Sequence, residues 1–419
     1  FEALKIEKEN LNKNYKKLKK DYEKFSNPSC EALESEFAKS VGQFMQNEIT
    51  NHEVNLKFGA IDGRVSQEIL SYFESENFDS KKFEINNAKD LYFVDGKTSV
   101  SQLEKYFACP YLFFATYGLR LKENKSAKMS SLDIGLIIHR VAELFVKNID
   151  SYSGLKTDEF ESSVLKLLKQ AIEENNISSD RNTTMLKMLR GEAVRLCGYL
   201  LYEHQNSGFK TMKNGTEYSF FGENAIKIPL ENGQTIKIEG KIDRIDSFGD
   251  YIRIIDYKTG GVSSELSSVY FGKKVQLVSY LSAVNALTGK KVAGLFYLPI
   301  HSDFTKKDVK LQNMFKFEGF LLDDIEVVKN MDYNLSFENP SSNFVALKIK
   351  TNKTLVNENR FEISGTSSKN LSEDEFDDVK FYTERLCGQA ASEILNGNIE
   401  PSPVLAASEE TPSMCRWCK

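Results

Sequence analysis

Residues 240–246 read Gly240-Lys241-Ile242-Asp243-Arg244-Ile245-Asp246, and residues 255–260 read Ile255-Asp256-Tyr257-Lys258-Thr259-Gly260. In the first stretch and the residues before it, Ile236, Ile238 and Ile242 alternate with Lys237, Glu239, Lys241 and Asp243. A period of two is the mark of a half-buried strand, and it points Asp243 away from the isoleucine face. The second stretch is preceded by Tyr251-Ile252-Arg253-Ile254, a largely apolar run suited to a central strand. Asp256 and Lys258 are two apart, so they share one face of that strand. An acid and a lysine at the end of a core strand cost several kcal/mol to bury unless they are paired or bind something.

Outward from this centre, 216–230 and 234–248 read as a hairpin across Glu231-Asn232-Gly233, because Asn-Gly is a strong turn signal. Residues 251–258 form a third strand after the Gly249-Asp250 turn. A helix over 273–288 and an apolar strand over 291–299 follow. Upstream, a helix starts after Thr98-Ser99-Val100-Ser101, and others cover 131–149, 158–175 and 183–206. Downstream, 303–370 mixes strands with an insertion, Ser372 and Glu375 open a helix over 372–396 as a capping box, and 397–419 is irregular. The order predicts an α/β fold, a sheet with helices on its faces. Residues 1–90 read as a separate helical segment, with Leu4, Leu11, Leu18 and Phe25 along one seam and further helices over 31–50 and 64–76. Residues 91–419 make the second unit.

The chain has 419 residues, a length for roughly two to three domains. Lys and Arg number 55 against 60 Asp and Glu, a net charge of -5, which excludes a wholly basic nucleic-acid coat but not a local basic channel. No apolar run is long enough to span a membrane. The chain opens at Phe1 without a signal peptide and reads as part of something longer. Six cysteines are too few for a disulfide scaffold, so a reducing, cytoplasmic setting is expected.

Two carboxylates converging at the ends of adjacent strands can hold a hard divalent cation. Such an ion polarises a phosphodiester and lowers the pKa of a bound water. A neighbouring lysine orients that water and offsets the charge that develops. The plain alternative is a surface hairpin with ordinary salt bridges. The placing of Asp243 thirteen residues before Asp256, on successive strands, weighs against it.

These stretches resemble the RecB-type branch of the PD-(D/E)xK nucleases. In that branch an upstream helix carries Gly-x-x-x-His, matched here by Gly135 and His139, and a downstream helix carries Gln and Tyr four apart, matched by Gln276 and Tyr280. The resemblance implies a restriction-endonuclease-like core, a central mixed sheet flanked by helices. It implies that Asp243 and Asp256 bind Mg2+ or Mn2+ with His139 and the Tyr257 backbone carbonyl. Lys258 becomes the catalytic lysine, and Gln276 and Tyr280 line the site and touch DNA. Glu217 is a looser match to an accessory acid. His52, His204 and His301 lack companions and read as ordinary histidines.

Cys109 precedes these motifs, and Cys415 and Cys418 follow them. By themselves they are one ligand short of a tetrahedral site, and three free thiols is the plain reading. One subgroup of the resembled family wraps its nuclease domain with a 4Fe-4S cluster, taking one cysteine from an aromatic upstream segment and three from a C-terminal run. Ala108-Cys109-Pro110-Tyr111 and Cys415-Arg416-Trp417-Cys418 match three of the four; Cys387 sits within a helix and reads as core. That subgroup includes the B subunits of AddAB-type helicase–nucleases. The resemblance therefore implies an exonuclease that processes double-strand DNA breaks for recombinational repair, with DNA and an A subunit as partners. A silent nuclease fold that only binds DNA or holds a partner is the alternative, disfavoured by the complete set Asp243, Asp256, Lys258 and His139. A zinc-stapled structural domain is another, disfavoured by the missing fourth ligand. No Gly-x-x-x-x-Gly-Lys-Ser/Thr motif is present, so no ATP hydrolysis is expected of this chain.

Overall fold

The computed structural model describes residues 85, 88–121, 131–175, 183–230, 232–260, 265–300, 315–364 and 369–404. All lie within one unit, Lys82–Lys419. The helices expected before residue 85, and Cys415 and Cys418, fall outside the described residues.

The apolar and alternating runs do form a sheet. Its eight strands are β1 (Lys97–Ser99), β2 (Lys210–Phe220), β3 (Ile226–Pro229), β4 (Thr235–Phe248), β5 (Tyr251–Lys258), β6 (Lys291–Pro299), β7 (Glu318–Leu322) and β8 (Lys369–Leu371). The order along the main path is β1-β4-β5-β6-β7-β8, with β2 and β3 also paired to β4. The sheet is mixed: β4 runs antiparallel to β5, whereas β5 and β6 are parallel. β5 is central and buried along nearly its whole length, as its isoleucines require.

The expected hairpin closes between β3 and β4. Leu230 N–H donates to Gln234 O at 2.8 Å, and Asn232 Oδ1 accepts from Gln234 N–H at 3.0 Å. The strand read as 216–230 is broken in two. Residues 222–224 form a single helical turn entered by Gly222, whose φ of +62° suits a residue without a Cβ.

The main helices are α1 (Val100–Ala108), α2 (Ser131–Lys147), α3 (Thr157–Glu174), α4 (Thr183–Asn206), α5 (Gln276–Thr288) and α6 (Glu373–Leu395). Local chemistry fixes their starts. Ser99 and Gln102 cap α1 reciprocally, and Ser372 and Glu375 do the same for α6. α2, α3 and α4 pack on one another, and α2 reaches β2 and β4. α5 connects the parallel pair β5 and β6, packing on both and on α6. The expected helix over 273–288 starts only at Gln276, because residues 271–275 are taken up by a turn. Among the described residues, no helix is long and apolar enough to cross a membrane.

Candidate active site

The site forms where the β4–β5 ladder runs out. The two strands pair from Phe248 opposite Tyr251 to Arg244 opposite Ile255. One residue further on, a side chain replaces the ladder: Asp243 Oδ2 accepts from Tyr257 N–H at 2.7 Å. Alternation then sorts the charges. Arg244 and Asp246 pair across from Ile255 and Arg253 on one face, leaving Asp243, Asp256 and Lys258 to the other.

α2 brings His139 to this end of the sheet. A Cβ built on Gly135 would lie 3.1 Å from Thr259 Cγ2, so the glycine lets the helix lie close against the residue after Lys258. His139 Nδ1 is 3.4 Å from Asp243 Oδ2, and its ring stands edge-on to that of Tyr257 at 5.7 Å. The ring also hydrogen-bonds the Tyr257 backbone. Burial lowers the His139 pKa and favours the neutral imidazole, which has a lone pair to offer.

α5 brings the other half. Gln276 Nε2 donates to Asp256 Oδ1 at 3.0 Å and to the Tyr280 hydroxyl at 2.5 Å, while its Oε1 accepts from Lys258 Nζ at 2.8 Å. One amide thus bridges three side chains. Lys258 Nζ also lies 2.5 Å from Asp256 Oδ2 and 5.5 Å from the centre of the Tyr297 ring. Burial pushes the Asp243 carboxyl up to about 7 and the Asp256 carboxyl to about 6; the Asp243 charge adds to the shift at Asp256. Two buried carboxylates with one lysine between them carry more negative charge than their surroundings balance.

Glu217 belongs to the same neighbourhood. Its backbone is left-handed (φ 51°), just past an irregularity of β2 between Thr211 and Thr216. Its Oε2 is 2.9 Å from Lys241 Nζ, and its charge raises the pKa values of Asp243 and His139. An open cleft of about 580 Å³ runs past Leu136, His139, Arg140, Glu217, Lys241 and Asp243.

Two carboxylates and a strand-end backbone suit a hard divalent ion, and the imidazole adds a borderline donor. The Oδ2 atom of Asp256 is buried and makes no hydrogen bond of proper angle, leaving a lone pair for a cation. Among the described residues, no three His, Cys, Asp or Glu side chains already close into a metal-holding group. The reason is local. Asp243 leans on Tyr257 N–H and His139, and Asp256 on Gln276 and Lys258.

Cys109 is buried where α1 ends. The last described segment returns to it: Val404 N–H donates to Ala108 O at 3.0 Å. Cys387 is buried inside α6, in keeping with its reading as core. Two features were missed in the sequence. Glu203, Arg244, Asp246 and Arg253 form a fully buried charged quartet, with Arg244 Nε 2.7 Å from Asp246 Oδ1 and Arg253 hydrogen-bonded to Glu203. Strand alternation places Arg244 and Asp246 together and could have found half of it. Glu104 accepts hydrogen bonds from the backbone at the start of α5. Nothing local marked that.

The profile of the PD-(D/E)XK nuclease superfamily matches residues 97–419. The chain belongs to this superfamily of nucleases, hydrolases by class, and its mixed sheet with flanking helices is their fold. It is similar to the B subunit of the ATP-dependent helicase/deoxyribonuclease of Alkaliphilus metalliredigens, 30% identical over 362 residues that cover 80% of this chain and 30% of that protein. The B subunit from Alkaliphilus oremlandii is 31% identical over 359 residues, 79% of this chain and 30% of that protein. That from Listeria welshimeri is 29% identical over 385 residues, 85% of this chain and 32% of that protein. The chain therefore spans about 30% of the length of these relatives.

Proposed function

We propose that this chain is the nuclease portion of a helicase–nuclease subunit, hydrolysing DNA phosphodiesters with a divalent metal. The observation that carries the reading is the meeting of Asp243, His139 and the Tyr257 backbone with the Asp256–Gln276–Lys258 bridge at one strand end. Asp243, Asp256, His139 and the Tyr257 carbonyl hold Mg2+ or Mn2+. The bound ion supplies Lewis acidity and a water acidic enough to act near neutral pH. Lys258, fixed by Gln276, offsets charge at the phosphoryl oxygens and orients the attacking water. Tyr280 holds the Gln276 amide in its bridging pose and, with it, borders the DNA strand. Glu217 acts as an accessory acid beside Asp243. A neutral His139 adds no positive charge to a cation site.

The relatives' name supports a setting in a complex that pairs an ATP-driven helicase with DNA cleavage. We assign this chain an exonucleolytic role in processing double-strand DNA ends, beside an A subunit and in the cytoplasm. Cys109, Cys415 and Cys418 supply three of the four thiolates that a 4Fe-4S cluster takes. A buried Cys109 beside the returning C-terminal segment fits that role. The deciding experiment incubates the chain with end-labelled linear DNA and, separately, with closed circular DNA, each with Mg2+, Mn2+ or EDTA. Metal-dependent loss of the linear DNA alone is expected. Metal-independent cleavage, or none with either ion, overturns the reading.

A further inference from the structure

α5 starts without a cap of its own. Val275 at its N-cap provides no side-chain hydrogen bond. Helix starts leave backbone N–H groups unsatisfied, and a capping oxygen is normally found within the local sequence. Here it comes from another helix. Glu104 Oε1 on α1 accepts from Val275 N–H at 2.8 Å and from Gln276 N–H at 3.0 Å.

α1 is itself fixed. Tyr106 OH on α1 donates to Glu393 Oε2 on α6 at 2.9 Å. One residue further, Phe107 packs under the turn that enters α5. A Cβ built on Gly272 would lie 2.3 Å from Phe107 Cγ, and Gly272 has φ +69°. α1 therefore meets the start of α5 twice, through an apolar ring and through a carboxylate. One of the residues whose N–H is caught is Gln276, whose amide gives both its N–H donors to Asp256 and Tyr280 and accepts from Lys258. A shift of the first turn of α5 moves that amide relative to Asp256 and Lys258 on β5.

We propose that Glu104 is a positioning residue for the reaction: it fixes the first turn of α5 so that Gln276 holds Lys258 and Asp256 in register. The carboxylate's hydrogen bonds go to the first turn of α5, so it acts through Gln276. The dependence on catalysis rests on the nuclease reading above, whereas the holding of α5 does not. A carboxylate suits the task because it accepts two N–H bonds at the positive end of the helix and faces the charge of Lys258.

The test compares Glu104→Ala with Glu104→Gln, which keeps an acceptor oxygen. Amide hydrogen exchange at Val275 and Gln276, read without DNA or metal, should quicken by about tenfold or more in the alanine variant and stay near wild type in the glutamine variant. DNA cleavage should lose about tenfold to a hundredfold in kcat with Ala, with KM little changed, and recover to within about threefold with Gln. Glu104→Asp, one methylene shorter, replaces Ala if that variant fails to fold, with the same expectations. Unchanged exchange at the two amides, or a glutamine variant as impaired as alanine, overturns the proposal. If the wild-type protein cleaves no DNA, the nuclease reading fails while the exchange result still decides what Glu104 holds.

Discussion

Lys258 Nζ lies 2.5 Å from Asp256 Oδ2, at the one buried carboxylate oxygen of the site that lacks a well-angled hydrogen bond. Without metal, the ammonium answers the charge that a divalent ion would answer under the proposed function. Removing either partner therefore acts on chemistry more than on grip. Asp256→Ala and Lys258→Ala should each reduce cleavage by at least about a hundredfold, while DNA affinity, set mainly by phosphate contacts elsewhere, changes by less than about threefold. Fluorescence anisotropy with Ca2+ beside cleavage assays with Mg2+ separates the two. Parallel loss of binding and cleavage would assign these residues to folding or to DNA binding.

Burial raises Asp243 to about 7 from an ordinary 3.8. A folded-state pKa above the unfolded value means that the native protein keeps a proton the unfolded chain has lost. Metal-free stability is then greatest below the unfolded pKa and declines from about pH 4 up to about pH 7 as far as this group is concerned. Asp243→Asn removes the penalty and can still accept from Tyr257 N–H. It should stabilise the metal-free protein at pH 8 by about 1–3 kcal/mol and have little effect at pH 4. Urea unfolding in EDTA at both pH values measures this, and an Asn variant less stable than wild type at pH 8 would show that the carboxylate is well satisfied as it stands.

The same residues show what a sequence discloses. Asp243, Asp256 and Lys258 were legible because a strand alternates, so a carboxylate on each of two successive strands and a lysine two residues on have few places to go. β6 was legible to the residue because it is nearly all apolar, and β5 because its apolar start at Tyr251–Ile255 follows the Gly249-Asp250 turn and its end precedes Gly260. The β2–β3 break was hidden because a positive-φ glycine ends a strand without altering the pattern around it. Glu104 and Glu203 were hidden because their partners lie far along the chain. Glu104 is 171 residues from Val275, and Glu203 is 41 from Arg244 and 50 from Arg253. Only the folded chain brings such groups together.

The buried quartet predicts a large stability effect away from the chemistry. Glu203 and Asp246 are answered by Arg244 and Arg253, all four out of water, and the Phe209 and Phe317 rings lie 5.0 and 5.1 Å from the Arg253 guanidinium. Glu203→Ala leaves two buried guanidinium groups facing one carboxylate. The expected loss is about 3–5 kcal/mol, seen as a lower urea midpoint with an unchanged slope. A loss under about 1 kcal/mol would mean that water reaches the arginines once Glu203 is gone.

The C-terminal segment returns to the end of α1. Val404 N–H donates to Ala108 O, which brings the C-terminal segment within one residue of Cys109. Cys415 lies eleven residues further on, a span of at most about 36–40 Å when extended, so the tail has the reach to turn back to Cys109. A cluster shared by Cys109, Cys415 and Cys418 would close a loop of about 300 residues, and such closure restricts the unfolded chain most when the loop is long. Three thiolates are one short of the usual four, so iron taken up during anaerobic reconstitution with iron and sulfide should be partial. Cys109→Ser and Cys418→Ser should each remove most of it, while Cys387→Ser, buried within α6, leaves it unchanged. Iron and sulfide analysis, with the visible absorbance of the cluster, gives the answer. Iron retained at the wild-type level in Cys109→Ser would separate the tail cysteines from Cys109 and leave the strand-end nuclease site untouched.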